Sequence, residues 1–162
     1  VRRRLRPGGA LRAAALLGAA LLAAPAGAAQ CSVQASAVDF GVYDPFALTP
    51  TDSVGTITVQ CSGFTGESIA YRISIGTGSS GVFAPRTMTD GTTWRLTYNL
   101  YTGASRTLIW GDGTGSSRAV SDGYALPGRG ISRSYPVYGR IPGRQNVAPG
   151  AYADTLVITL DY

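Results

Sequence analysis

The chain has 162 residues, 44% of them hydrophobic and only 14% charged, with fourteen Lys plus Arg, nine Asp plus Glu and no His. Five of its arginines crowd the first twelve residues and the other nine match the nine acids, so beyond that stretch the net charge is about zero and neither nucleic acid nor an anionic membrane is implied as a partner. Without His it cannot build a Ser-His-Asp or Cys-His nucleophile or the usual zinc constellations.

Arg2, Arg3, Arg4, Arg6 and Arg12 form a positive n-region, Ala13 to Ala24 an apolar run, and Ala26-Gly27-Ala28 a small-residue cleavage signature. Together they read as a secretory signal peptide over residues 1–28, with cleavage after Ala28 or Ala29. The apolar run falls short of the roughly twenty residues that cross a bilayer, and no later segment is apolar enough to insert. Residues 29–162 are then one exported domain, large enough to bury about two-thirds of its unfolded surface. In an exported chain Cys31 and Cys61 are expected to pair. Closing that loop stabilises the fold by about 3 to 4 kcal/mol in the chain-entropy model.

The elements that follow are short strands separated by Gly, Ser, Thr, Asp and Pro. Val33 to Phe40 alternates loosely. Val54 to Cys61 puts Ile57, Val59 and Cys61 on one face, and Ile69 to Ile75 does the same with Ile69, Tyr71, Ile73 and Ile75. Trp94, Leu96, Tyr98 and Leu100 form another face. Arg106 to Trp110, a weaker segment around Val120, Arg133 to Ile141 and the terminal run Asp154 to Tyr162 complete the series. Helical periodicity is nowhere sustained, and strands at this spacing predict an antiparallel β-sandwich of immunoglobulin-like size. The immunoglobulin pattern of Cys, core Trp and Cys is absent, because both cysteines fall in the first two strands.

Catalytic chemistry is not evident, and neither a metal site nor a cofactor is expected. Asp39, Asp44, Asp52, Asp90, Asp112, Asp122 and Asp154 stand mostly beside Gly, Pro or Thr, where Asp forms turns. The stretch "WGDGTG", Trp110 to Gly115, has no following helix to receive a phosphate and reads as a hairpin loop. Tyr98, Tyr101, Tyr135, Tyr138 and Tyr152 suit the core or a cross-strand face, with a sugar-binding platform as the alternative. In "SSGVFAPRTM", Val82 and Phe83 either project as an adhesive tip or fold back to plug the end of the sandwich.

Five stretches carry a resemblance: "CSVQASAVDFGVYDP" (31–45), "TVQCSG" (58–63), "LTYNLYTGASRTLIWGDG" (96–113), "YPVYGRIP" (135–142) and "GAYADTLVITLDY" (150–162). Together they resemble the spore coat protein U domain, a family that includes subunits of archaic, Csu-type chaperone-usher pili. The resemblance implies an incomplete immunoglobulin-like sandwich lacking its final strand. A periplasmic chaperone, and then the next subunit delivered through an outer-membrane usher, would supply the missing strand. Leu156, Ile158, Leu160 and Tyr162 would line the acceptor groove. An apolar terminal strand without Lys or Pro fits an edge awaiting a partner. It also fits the closing strand of a complete sandwich if Val33 to Phe40 already covers it.

Family members that form rods carry a donor stretch ahead of the first Cys. Cleavage at the expected site leaves only Ala29 and Gln30, which reach about 7 Å, so the chain is expected to accept a strand but not to donate one. That suits a tip or initiating subunit of a surface fibre, with Val82, Phe83, Ile109 and Trp110 as the exposed contact surface. The alternative is a stand-alone coat-like or carbohydrate-binding extracellular domain.

Overall fold

The computed structural model describes residues 28–162, which fold into two antiparallel sheets without an α-helix. The expected leader lies outside the described residues except for Ala28. Strands β1 (Gln30–Ala35), β2 (Thr51–Ser62), β7 (Ile131–Ile141), β5 (Arg95–Tyr101) and β4 (Arg86–Thr89) form one sheet in that spatial order. Strands β6 (Val120–Pro127), β3 (Thr65–Ile75) and β8 (Ile158–Asp161) form the other.

Period-two alternation decides which side of each strand is dry. Ile57, Val59 and Cys61 of β2 and Tyr71, Ile73 and Ile75 of β3 are each at most 3% exposed, and they meet Leu96, Tyr98, Leu100, Val137 and Ile141 between the sheets. The Cys31–Cys61 disulfide joins residues directly opposite in the β1–β2 ladder.

Several expectations are corrected. The stretch Arg106 to Trp110 is not a strand but makes single bridges, Tyr101 to Ile109 and Trp110 to Arg118. Trp94 precedes β5 and is 41% exposed rather than facing inward with Leu96. The terminal strand is shorter than read. Ala153 exchanges hydrogen bonds with Thr89, and Asp154 accepts from the Ser79 N–H and the Tyr98 hydroxyl, so the chain is pinned to the other elements before β8 begins.

Strand β4 sits in the stretch read as a connection, and it carries the least expected core residue. Arg86 is fully buried. Its Nη2 donates to the carbonyls of Trp110 at 2.7 Å, Gly76 at 2.8 Å and Ile75 at 3.3 Å. Nε donates to Gly76 at 3.0 Å and Nη1 to Asn99 Oδ1 at 2.8 Å. A buried cation survives when its donors are met, and here carbonyl groups from β3, its following turn and the loop after β5 meet them.

Candidate functional site

The feature with functional shape is an open groove between the sheets. Just past β1 the Ser36 N–H still donates to the Thr56 carbonyl at 2.9 Å, and from there to Tyr43 the chain drifts over the inner face of the sheet. Two mid-strand glycines make room for this: a Cβ on Gly139 would come within 2.6 Å of both Val38 and Phe40, and one on Gly55 within 2.7 Å of Val38. Phe40 also meets the Tyr98 ring edge-on, 6.2 Å between centroids. Facing this segment across the groove are Tyr152 to Leu156 and the start of β8.

The cleft between them, about 530 Å³, is floored by core side chains: Ile57, Ile75, Met88, Leu100 and Val137. A second hollow of about 600 Å³ shares Val38, Phe40, Met88 and Tyr152 with it and extends the opening toward Pro149. The cleft runs down to these core residues, which stay buried, while Leu156 and Ile158 in its wall are half-buried. Asp39 and Asp154 stand at the rim. Burial, reinforced by its bond to Asp154, pushes the Tyr98 hydroxyl well above the ordinary tyrosine range.

Strand β8 borders this opening with one side unpaired. Its partners are all in β3: Ile75 with Ile158, Ser74 with Thr159, Ile73 with Leu160 and Arg72 with Asp161. The Gly76 N–H donates to the Val157 carbonyl at 2.8 Å, while the Ile75 N–H turns away from β8 to the carbonyl of Gly111. Antiparallel pairs alternate between bonded and non-bonded positions. Ile158 and Leu160 are thus at non-bonded positions and turn their own N–H and C=O groups outward, toward the gap. No strand among the described residues pairs with that edge; of the Val33 to Phe40 segment, Val33 and Gln34 are paired with β2 and Ala35 to Phe40 line the groove without pairing with β8.

Of the four residues expected in the groove, Leu156 and Ile158 line it. Leu160 packs against the core one step further along β8. Tyr162 lies past the strand end, 58% exposed, and is not part of the lining. Sequence reading missed Val38, Phe40 and Met88; the signal available was the pair of glycines inside β2 and β7, where strand glycine often marks a close approach.

The expected exposed contact surface is not assembled. Trp110 is 1% exposed, because its indole fills the core and its N–H donates to the Ile73 carbonyl at 3.1 Å. Phe83 folds back, half-buried, with the Arg86 guanidinium 5.3 Å from its ring. Ile109 is half-buried, and Val82 alone of the four projects, 51% exposed.

The aspartates mostly shape loops. Asp39, Asp44, Asp90 and Asp112 each accept from the N–H two residues on, at 2.8 to 2.9 Å. Asp122 differs: it accepts from the Tyr135 hydroxyl at 2.6 Å and from Arg133 at 2.7 Å, and these partners, Tyr135 foremost, hold its carboxyl below the usual range. No helix of the described residues is long and apolar enough to cross a membrane.

Two antiparallel sheets, a cleft running down to the core on one side and an unpaired edge strand bordering it define an incomplete immunoglobulin-like sandwich of the pilin type. The sequence matches the Spore Coat Protein U domain over residues 17–159, and the chain belongs to that family. The match begins inside the stretch read as a leader. Protein U of Myxococcus xanthus is 30% identical over 144 residues, covering 82% of this chain and 77% of that protein. A chain of the CsuC-CsuE chaperone-tip adhesion subunit pre-assembly complex, from archaic chaperone-usher Csu pili of Acinetobacter baumannii, superposes with a TM-score of 0.55 at 20% identity. That likeness covers 83% of this chain but 40% of the other, and at such identity it establishes the fold. The minor tip subunit HdaB of the E. coli Hda pilus gives a TM-score of 0.36 at 17% identity over 82% of each chain, too low to establish a shared fold.

Proposed function

We propose that this domain is an exported structural subunit of a chaperone-usher surface fibre, and that its groove accepts one extended strand from another polypeptide. A periplasmic chaperone supplies that strand first, and a neighbouring subunit replaces it during assembly at an outer-membrane usher. The observation that carries the reading is β8, bonded to β3 on one side while Ile158 and Leu160 turn free main-chain groups toward a cleft floored with core side chains. An incoming strand would pair with those groups and seat alternate side chains over Ile57, Leu100 and Val137, the recognition mode of β-strand addition. An edge left bare in this way invites aggregation, which is the physical reason for a chaperone.

With the leader cut at the expected site, Ala29 and Gln30 alone precede Cys31, too short a reach to fill another groove. The domain then accepts without donating, and takes the end of the fibre assembled first as a tip or initiating subunit. A second reading, a coat-like extracellular domain, is favoured by the 77% coverage of Protein U. A carbohydrate-binding module is less well supported, because burial removes Trp110 from any sugar platform.

The test is to export the chain alone and with a ten-residue alternating apolar strand fused after Tyr162 through a flexible linker. The first is expected in low yield, prone to aggregation and proteolysis and with the lower unfolding midpoint, and the second as a stable soluble monomer. A high-melting monomer from the unfused chain refutes the groove.

A further inference from the structure

Glu67, the chain's single glutamate, is half-buried near the start of β3, just after the turn from β2. Its Oε2 accepts from the Phe64 N–H at 3.0 Å while its own N–H donates to the Phe64 carbonyl at 3.1 Å, which closes the turn. The other carboxylate oxygen is left over for a distant partner. Oε1 accepts from the backbone N–H of Ala29 at 2.8 Å, thirty-eight residues back along the chain. Ala29 itself packs against the core. Gly63 lets the three groups converge: a Cβ there would collide with Glu67 Oε2, approach Leu126 to 2.7 Å and crowd the Ala29 Cα at 3.2 Å.

The nitrogen so held is the one that the Ala26-Gly27-Ala28 signature would release. Hydrolysis of the Ala28–Ala29 bond by a leader peptidase adds the water hydroxyl to the Ala28 carbonyl carbon and a proton to the Ala29 nitrogen. That amine takes up a second proton at neutral pH and becomes an ammonium beside a carboxylate. Cleavage one residue later would instead expose Gln30, whose side chain cyclises onto its own amine and leaves no charge for Glu67.

We propose that the leader is cut between Ala28 and Ala29 and that Glu67 captures the new ammonium, latching the mature N-terminus onto the β2–β3 turn. The latch holds the N-terminus at the β2–β3 turn, ahead of β1, whereas the groove opens beyond Ala35. It rests on the fold and stands or falls separately from strand acceptance.

The sequence contains no Lys, so the terminal ammonium is the mature chain's one primary amine, and an amine-acylating reagent reports on it directly. The full chain is exported from a bacterium, its first residue is sequenced, and acylation of the N-terminal peptide is timed by mass spectrometry. The expected first residue is Ala29. A facing carboxylate raises an amine's pKa by a unit or more, so acylation of the folded protein is expected to be at least about tenfold slower than in Glu67→Gln. A variant with one Ser inserted after Ala28 keeps Glu67 but displaces the amine, and should label as fast as Glu67→Gln. A first residue other than Ala29, or equal rates in the parent and both variants, overturns the proposal.

Discussion

Replacing Arg86 by Met probes the least expected part of the core. The guanidinium makes five hydrogen bonds to four oxygens, those of Ile75, Gly76, Trp110 and the Asn99 side chain. Met fills most of the volume but donates nothing. Of the four oxygens, the Asn99 Oδ1 keeps a bond from the Leu100 N–H at 3.0 Å, which leaves the Gly76 and Trp110 carbonyls as the main losses and the Ile75 carbonyl, whose bond is the longest at 3.3 Å, as a lesser one. Each buried acceptor left unmet costs about 1 to 3 kcal/mol. Relief of the cation's own desolvation, which already holds the Arg86 pKa below its ordinary value, offsets part of that. The net loss is about 2 to 4 kcal/mol, toward the upper end of the range for single substitutions. Arg86→Lys keeps the charge but not the planar fork, and should fall between the two. Urea unfolding of the parent and both variants under identical conditions gives the difference from the midpoints. A loss below about 1 kcal/mol for Arg86→Met, the size of an ordinary surface change, would refute the claim that this arginine ties the loops to the core.

Ile158→Asp places a charge in the groove wall and should weaken capture of an apolar donor peptide at least about tenfold. Val157→Asp, on a side chain 70% exposed, should change it by no more than about twofold. Replacing Cys31 and Cys61 together by Ala should cost about 3 to 4 kcal/mol, read from the same urea midpoints. Stability should also fall at both pH extremes. Burial raises Tyr71 and Tyr135 above the ordinary range and pushes Tyr124 up to about 12, so their contribution is complete below the unfolded tyrosine value of about 10 and is lost as pH rises through the folded values. The lowered Asp122 contributes fully above the unfolded carboxyl value of about 3.9 and is lost as pH falls through its folded value. Tyr135→Phe, which deletes the hydroxyl on Asp122, should flatten the acid limb; an unchanged limb would remove Asp122 from the explanation.

Strands β2, β3 and β7 were legible because each buries one face and exposes the other, the pattern that period-two reading detects. Strand β4 was not, since four residues beginning with a charged one look like a turn until the carbonyls that receive Arg86 are seen. Trp110 misled for a related reason: flanked by Gly111 and Asp112 it sits in a turn-rich stretch, yet its ring is the stopper of the core. The groove was half legible. Leu156 and Ile158 followed from alternation and family resemblance. The opposite wall, Ser36 to Tyr43, depends on where the chain drifts off the β2 ladder and over the inner face of the sheet, which no local periodicity records. Only Gly55 and Gly139, bare positions inside otherwise well-filled strands, hinted that something crosses there.

The free edge of β8 is tested most directly by amide hydrogen exchange at Ile158 and Leu160, measured in the mature chain with and without an added donor strand. If these amides face the gap, they exchange rapidly in the chain alone and become strongly protected once the strand is bound, while the Ser74 and Gly76 amides, on the side of β3 that faces β8, change far less. Strong protection at Ile158 and Leu160 before any strand is added would contradict the open edge and, with it, the proposed role.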